Sequence, residues 1–174
     1  MPAARFVDQL NAQIGNELAA HNQYLACAVH FDALTMPQTA AFFYGQALEE
    51  RSHAMMMVQY LIDTDSDVVV PAVPAPESSF GDVVAPVQLA LEQERRVTEQ
   101  INELVRIARE ESDFASEQFM QWFIKEQVEE VATMHDLLAV VTRARGDLED
   151  IEEYVAREQS AGGDDAGAPR QAGA

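Results

Sequence analysis

Apolar residues recur three and four positions apart in four long segments of the chain. This spacing places each set on one face of a helix, as in helices that pack around a shared core. The apolar stripes extend from Leu10 to Phe31, Phe43 to Leu61, Val87 to Ala108 and Met120 to Val141. We predict helices over about residues 5–34, 37–63, 82–110 and 113–145.

Residue types that begin and end helices lie between these segments. Pro37 is suited to the first turn of the second helix, because a backbone N–H at that position would have no acceptor within the helix. Ser112 or Asp113 is suited to cap the fourth helix, and Gly146 is the usual type of residue to end it. These residues support the boundaries that the apolar stripes predict.

A shorter amphipathic segment follows the fourth helix. Residues 147–158 place Leu148, Ile151 and Val155 on one face, which predicts a short fifth helix. Residues 159–174 are mainly Gly, Ala, Asp and Gln, so we predict a disordered tail that cannot form a core. The chain is therefore expected to form one domain over residues 1–158, followed by the tail.

The connections between the segments predict the topology. Two are short, so the first and second helices, and the third and fourth, should form antiparallel hairpins. The connection over residues 64–81 could extend about 55 Å, whereas a helix of 28 residues is about 42 Å long. It is long enough to traverse the bundle and start the third helix parallel to the second. The predicted fold is all-α, a four-helix bundle with one long crossover and a short fifth C-terminal helix.

Each apolar stripe is interrupted near its middle by a carboxylate: Glu17, Glu50, Glu94 and Glu130, with His53 three residues after Glu50. Uncompensated carboxylates in an apolar interior are costly and repel one another, and these stripes carry no Lys or Arg. Two divalent cations would neutralise four such charges. Oxygen ligands with one imidazole and no thiolate favour Fe(II) or Mn(II) over structural zinc. The arrangement matches the ligand pattern of known di-metal carboxylate bundles.

The two predicted hairpins repeat the polar positions at a fixed separation of 77 residues. The residues related in this way are Glu17 and Glu94, Glu50 and Gln127, and His53 and Glu130. A pseudo-two-fold axis between the hairpins would bring both sets to one level of the bundle. The repeat therefore supports a single shared site over four accidental insertions.

Composition narrows the classes of partner. The chain has 30 acidic and 11 basic residues and a net charge of −19, which argues against a nucleic-acid surface. The acidity favours cations as partners, although it would serve solubility equally well.

No apolar run approaches the roughly 20 residues of a membrane helix. The start lacks a signal-peptide pattern and Cys27 has no second cysteine to pair with, so we expect a protein of the reducing cytoplasm.

The motifs together resemble bacterial non-haem ferritin, over about residues 5–158. The resemblance rests on Glu17, Tyr24, the Glu-Glu-Arg-Ser-His sequence at 49–53, Glu94, and the Glu-Gln-Val-Glu-Glu sequence at 126–130. It implies a ferritin-like bundle. It also implies a chain that oxidises Fe(II) with O₂ or H₂O₂ and stores the Fe(III) mineral inside a shell of 24 subunits.

The same resemblance implies a role for each residue of the site. One iron would be held by Glu17, Glu50 and His53, and a second by Glu50, Glu94 and Glu130, with Gln127 beside it. A third, looser iron site would comprise Glu49, Glu126, Glu129 and Glu130. Tyr24 matches a tyrosine near the centre that is a candidate electron donor.

The chain differs from related families at several functional positions. Bacterioferritin has a second Glu-x-x-His pair in its fourth helix, whereas this chain has Gln127-x-x-Glu130. The haem-binding methionine of that family is replaced here by Arg51, so we predict no haem. Animal ferritins carry two acidic residues at the channel through which iron enters. The matching positions in this chain are Glu117, which is acidic, and Met120, which is not.

Two other functions stay open at this point. A related di-iron oxidase or manganese catalase would use the same ligands without storing iron. A purely structural or cargo-binding bundle would bind no metal. Assembly into a shell and oxidation of Fe(II) would distinguish the three.

Overall fold

Five helices follow one another at nearly the predicted positions. In the computed structural model, which describes residues 1–144, 146–159 and 167–173, no strand occurs among these residues. The helices are α1 (Ala4–Ala33), α2 (Pro37–Asp63), α3 (Val84–Glu110), α4 (Phe114–Ala144) and α5 (Leu148–Gln159). The predicted all-α bundle with a short fifth helix is confirmed. No helix in the described part of the chain is long and apolar enough to cross a bilayer.

The long crossover runs along α1 from one end of the bundle to the other. Asn11 bonds the backbone of Asp67 and Val69 near the start of α1, at 2.9 and 2.7 Å. Near the far end of α1, the His30 Nε2 lies 3.1 Å from the backbone oxygen of Asp82. The crossover therefore starts α3 at the end of the bundle where α2 starts, and the two helices are parallel as predicted.

A close approach between the crossover and α1 requires a glycine. A Cβ atom added to Gly15 would lie 2.6 Å from the Pro71 Cγ, inside van der Waals contact. Gly15 thus lets the crossover pack directly against the backbone of α1.

Side chains account for the helix boundaries. α3 starts at Val84, two residues later than predicted, because the Asp82 carboxylate accepts the backbone N–H groups of Val84 and Ala85 at 2.9 and 2.8 Å. α4 starts after Asp113, whose Oδ1 accepts the Ser116 backbone N–H at 3.1 Å. After α4, Gly146 has a φ of +91°, a conformation that favours glycine. The preceding residue, Arg145, lies outside the described residues.

The core consists of two apolar clusters with a polar level between them. One cluster includes Tyr24, Phe31, Phe43 and Met134, and the other includes Phe6, Leu10, Met57 and Phe123. The first and last residues of all four predicted apolar stripes are buried. The mid-helix carboxylates are thus enclosed between two apolar regions.

Glu152 fixes α5 to the start of α2. Its carboxylate accepts the backbone N–H groups of Gln38 and Thr39, each at 2.8 Å, and the Thr39 hydroxyl at 2.6 Å. These bonds satisfy donors at the positive end of the α2 dipole. A carboxylate of α5 therefore caps another helix.

Glu152→Gln should loosen α5 without unfolding the bundle. Loss of a charged acceptor at a helix N-terminus should cost about 1–2 kcal/mol of local stability. Hydrogen exchange of the α5 amides should become faster by roughly tenfold or more. The control is Glu153→Gln, which removes an exposed charge from the same helix. Equal exchange rates in the two variants would contradict the capping role.

The described part of the tail returns to the bundle. The Ala172 backbone N–H donates to the Met55 backbone oxygen at 3.1 Å, and the Arg170 guanidinium lies 3.7 Å from the Asp63 carboxylate. Residues 160–166 and 174 of the predicted disordered tail lie outside the described residues.

Candidate metal centre

The four bundle helices each bring one carboxylate to the polar level. The exposed fractions of Glu17, Glu50, Glu94 and Glu130 are 1%, 3%, 0% and 6%. Each lies in an apolar stripe between the two clusters; beside Glu94, for example, Ala90 and Leu91 belong to one cluster and Val97 to the other. Neither lysine nor arginine is among the buried residues of the described chain. The bundle therefore places several acids close together in its interior.

Glu17, Glu50 and His53 form the first candidate cation group. One ligand atom from each lies within 4.8 Å of the others. The His53 Nδ1 is 3.6 Å from the Glu50 Oε2 and 4.0 Å from the Glu17 Oε2. These two carboxylate oxygens are buried and have no hydrogen-bond partner. Buried acceptors without a partner are rare and costly, and a divalent cation would satisfy both at once.

Aromatic rings surround His53. The rings of Trp122 and Phe123 meet the imidazole edge-to-face, with centroids at 5.5 and 5.8 Å. Both belong to α4, on the opposite hairpin from His53. This packing restricts rotation of the imidazole. The orientation of His53 therefore depends on the packing of one hairpin against the other.

Glu94 is held by two donors. The Tyr24 hydroxyl donates to the Glu94 Oε1, and the Gln127 Nε2 donates to the Glu94 Oε2 at 3.1 Å. The two predicted neighbours of the second iron thus contact the same carboxylate. Among the described residues, Glu50, Glu94 and Glu130 do not form a group with ligand atoms within 4.8 Å of one another. Gathering them around one ion would require side-chain movement.

Burial and mutual repulsion raise the pKa of Glu50, Glu94 and Glu130. For Glu50, burial raises the pKa well above its usual value, and the charges of Glu94 and Glu17 add to this. Burial also raises the pKa of Glu94, while hydrogen bonds from Tyr24 and Gln127 oppose the rise. For Glu130 the causes are burial and then the charge of Glu49. Without a cation, these three carboxyl groups therefore bind protons more tightly than exposed glutamates do.

The tyrosine beside the site stays protonated. Burial raises the pKa of Tyr24 well above its usual value, and the Glu94 carboxylate adds to this. Tyr24 is fully buried and its ring lies 5.9 Å from that of Phe43. The phenol is therefore positioned as a hydrogen-bond donor to the site.

Proton competition predicts how metal binding depends on pH. Raised carboxyl pKa values stabilise the metal-free fold below about pH 4, and this stabilisation is lost as the pH rises through those values. A divalent cation must displace the protons. The increase in melting temperature caused by saturating Zn(II) should therefore grow as the pH rises above about pH 4, the ordinary pKa of a glutamate. Thermal unfolding with and without Zn(II) at a series of pH values measures it, and an increase independent of pH would contradict proton displacement.

A second candidate cation group lies beside the first. One carboxylate oxygen from each of Glu49, Glu126 and Glu130 lies within 4.8 Å of the others. Glu49 and Glu126 are half-buried, and the Gln46 Nε2 donates to the Glu49 Oε2 at 2.9 Å. Glu130 is the buried member, so this group connects the core level to the more exposed side of α2 and α4.

Glu129 is not a member of that group. Its side chain is exposed, and its carboxylate lies 3.6 Å from the Lys125 Nζ on the preceding turn. The structure therefore brings three of the four acids implied for a third iron site together.

Met120, which the resemblance matched to the second acidic position of the channel, is fully buried in the apolar cluster that contains Phe123. Glu117, one turn earlier, forms a 2.6 Å ion pair with Arg109.

Buried amides around the carboxylates were missed by the sequence analysis. Gln13 is fully buried and its Nε2 donates to the Glu17 Oε1 at 2.8 Å. Gln46, beside Glu49, is also buried. Each lies three or four positions from a carboxylate on its own helix, and this spacing is the signal that could have identified them.

Known proteins are similar to this chain in sequence and in fold. Residues 7–144 match the family model described as a ferritin-like domain. Ferritin BfrB of Mycolicibacterium smegmatis is 52% identical over 169 residues, which cover 97% of this chain and 93% of that relative. The chain belongs to the ferritin family. The resemblance in the motifs is thus confirmed at the level of the family.

Two further comparisons support membership of the ferritin family. A Mycobacterium tuberculosis relative named bacterioferritin BfrB is 47% identical over 172 residues, covering 99% of this chain and 95% of the relative. An open pore ferritin from Archaeoglobus fulgidus superposes with a TM-score of 0.84 and 31% identity, over 89% of this ferritin and 96% of that chain. The bundle therefore has a ferritin fold.

Proposed function

We propose that this ferritin stores iron, oxidising Fe(II) at a di-iron centre in its bundle and holding Fe(III) mineral in the cavity of a shell. The main support is the convergence of unpartnered, buried oxygens of Glu17 and Glu50 on His53. Such acids destabilise an empty fold, so a function that supplies divalent cations explains their presence. Membership of the ferritin family supports iron as the cation.

The proposed site assigns two ions to the shared level. Fe(II) at the first position would contact Glu17, Glu50 and His53, and Fe(II) at the second would contact Glu50, Glu94 and Glu130. Glu50 bridges the two positions, and Gln127 lies beside the second. The ligand set, mostly carboxylate oxygen with one imidazole, suits Fe(II). In this proposal Fe(II) is the substrate rather than a permanent cofactor.

A pair of Fe(II) ions supplies the number of electrons that each oxidant accepts in one step. Two Fe(II) ions supply the two electrons that, with two protons, reduce O₂ to H₂O₂, or H₂O₂ to two waters. The protein contributes by holding the ions side by side in a site enclosed by two apolar clusters. Tyr24, whose hydroxyl bonds Glu94, is placed to supply a further electron.

The second acidic group offers a path out of the core. We assign Glu49, Glu126 and Glu130 to a third, weaker iron site, because they adjoin the centre and two of them are partly exposed. Glu129, paired with Lys125, would join only by leaving that ion pair. Iron leaving the centre would pass here to the mineral.

We further propose that this ferritin binds no haem. The residue after the bridging Glu50 is Arg51, an exposed cation where the haem-binding families carry methionine. The purified protein should show no haem absorption band near 400–430 nm. Such a band at a stoichiometric level would contradict this proposal and would align the chain with the bacterioferritin name of its relative.

A shell of 24 subunits in the cytoplasm completes the proposal. One experiment tests storage: aerobic addition of Fe(II) at several hundred ions per shell, followed by size-exclusion chromatography with iron detection. We expect catalysed oxidation and iron that elutes with a large hollow assembly. Oxidation by small oligomers without retained iron would instead indicate a di-metal oxidase or catalase. No oxidation above the buffer rate would indicate a structural bundle.

A further inference from the structure

Gln13 lies directly behind the first candidate ligand. It is fully buried on α1, one turn before Glu17. Its Nε2 donates to the Glu17 Oε1 at 2.8 Å. The other carboxylate oxygen, Oε2, is buried without a partner and lies 4.0 Å from the His53 Nδ1. The amide thus occupies one oxygen of Glu17 and leaves the other directed at the site.

Neighbouring amides fix the orientation of Gln13. The Gln13 Nε2 also donates to the Gln100 Oε1 at 3.2 Å, so it has an acceptor for each of its two hydrogens. The Asn16 Nδ2 donates to the Gln13 Oε1 at 2.9 Å. Reversing the amide would place its oxygen against the Glu17 carboxylate and lose these bonds. The network therefore holds Gln13 with its nitrogen toward Glu17.

We propose that Gln13 is a positioning residue that makes Glu17 a one-oxygen ligand of the first metal position. This inference rests on the proposed di-iron function. A carboxylate with one oxygen already engaged offers a cation its second oxygen, whereas a free carboxylate can rotate or bind through both. Partners of this kind typically change metal affinity 10- to 100-fold when removed. Gln13 would thereby set the affinity of the first position relative to the second.

Two substitutions remove the donor while preserving a buried side chain of similar size: Gln13→Leu and, in case the first folds poorly, Gln13→Met. The matched control is Gln93→Leu on α3. Gln93 is also buried, but its amide nitrogen has no hydrogen-bond partner. The control therefore reports the cost of replacing a buried glutamine that does not bond a carboxylate.

The experiment titrates the complete shell with Co(II) by calorimetry and visible absorption. In either Gln13 variant, affinity at the first position should fall about tenfold or more, with little change at the second. The visible absorption should weaken as Glu17 becomes free to bind through two oxygens and the coordination number rises. The Gln93→Leu control should bind as wild type does.

A double-substitution cycle tests whether Gln13 acts through Glu17. In a Glu17→Ala background, adding Gln13→Leu should cause no further loss of Co(II) affinity. Additive losses, or Gln13 variants indistinguishable from the control, would overturn the positioning role alone. Absence of core binding by the wild-type shell would overturn both this role and the proposed function.

Discussion

Glu50→Ala should reduce the initial rate of Fe(II) oxidation by about 100-fold or more. Glu50 is the proposed ligand common to both ions, so its loss removes a bond from each position, whereas loss of Glu17 or Glu94 removes a bond from one. Removing even an outer partner of a metal ligand costs about 10–100-fold, and a bridging ligand should cost at least the upper end of that range. Stopped-flow absorbance after mixing Fe(II) with aerobic protein measures the rate.

The matched control is Glu99→Ala. Glu99 is an exposed acid of α3, so its substitution removes the same charge from a helix without reaching the core. The control should oxidise Fe(II) at the wild-type rate, and both variants should assemble as wild type does. Rapid oxidation by assembled Glu50→Ala shells would contradict the bridging role.

Saturating Zn(II) should raise the melting temperature of the metal-free protein by several degrees. A ligand that binds only the folded state at 100 times its dissociation constant adds about 2.7 kcal/mol per site. For a domain of 150–250 residues this corresponds to roughly 5–11 °C. The physical cause is neutralisation of buried carboxylates whose unpartnered oxygens destabilise the metal-free fold. Differential scanning calorimetry in a chelator and then in Zn(II) measures the difference.

The double variant Glu17→Ala/Glu50→Ala separates core binding from binding at the acidic surface. With a net charge of −19, the chain will attract cations weakly at many exposed sites. If the core is responsible, the double variant should lose most of the increase in melting temperature. An undiminished increase would place the stabilising cations elsewhere.

The fold was predictable because local signals and length constraints agree. The 3.6-residue periodicity identified the helices, and the length of residues 64–81 allowed the crossover that makes α3 parallel to α2. The exact start of α3 was not predictable, since it depends on the Asp82 carboxylate accepting two backbone N–H groups. The capping of α2 by Glu152 depends on residues more than 110 positions apart, and periodicity carries no information about such a contact.

The buried acids of the candidate site were predictable from the sequence. An acid in an apolar stripe is conspicuous, so Glu17, Glu50 and Glu94 could be identified from sequence. A buried glutamine such as Gln13 is less conspicuous because it carries no charge, and its role emerges only from its distance to Glu17. The burial of Met120 likewise emerges only from the structure. Burial and orientation are three-dimensional properties that the pattern constrains only in part.

Anomalous diffraction from a crystal soaked anaerobically in Fe(II) tests the di-iron centre most directly. Data collected on both sides of the iron absorption edge locate iron independently of any activity. We predict two peaks inside each subunit, one between Glu17, Glu50 and His53 and the other between Glu50, Glu94 and Glu130. A weaker third peak is expected beside Glu49 and Glu126. Iron confined to the exposed acids, with none at the core level, would contradict the account.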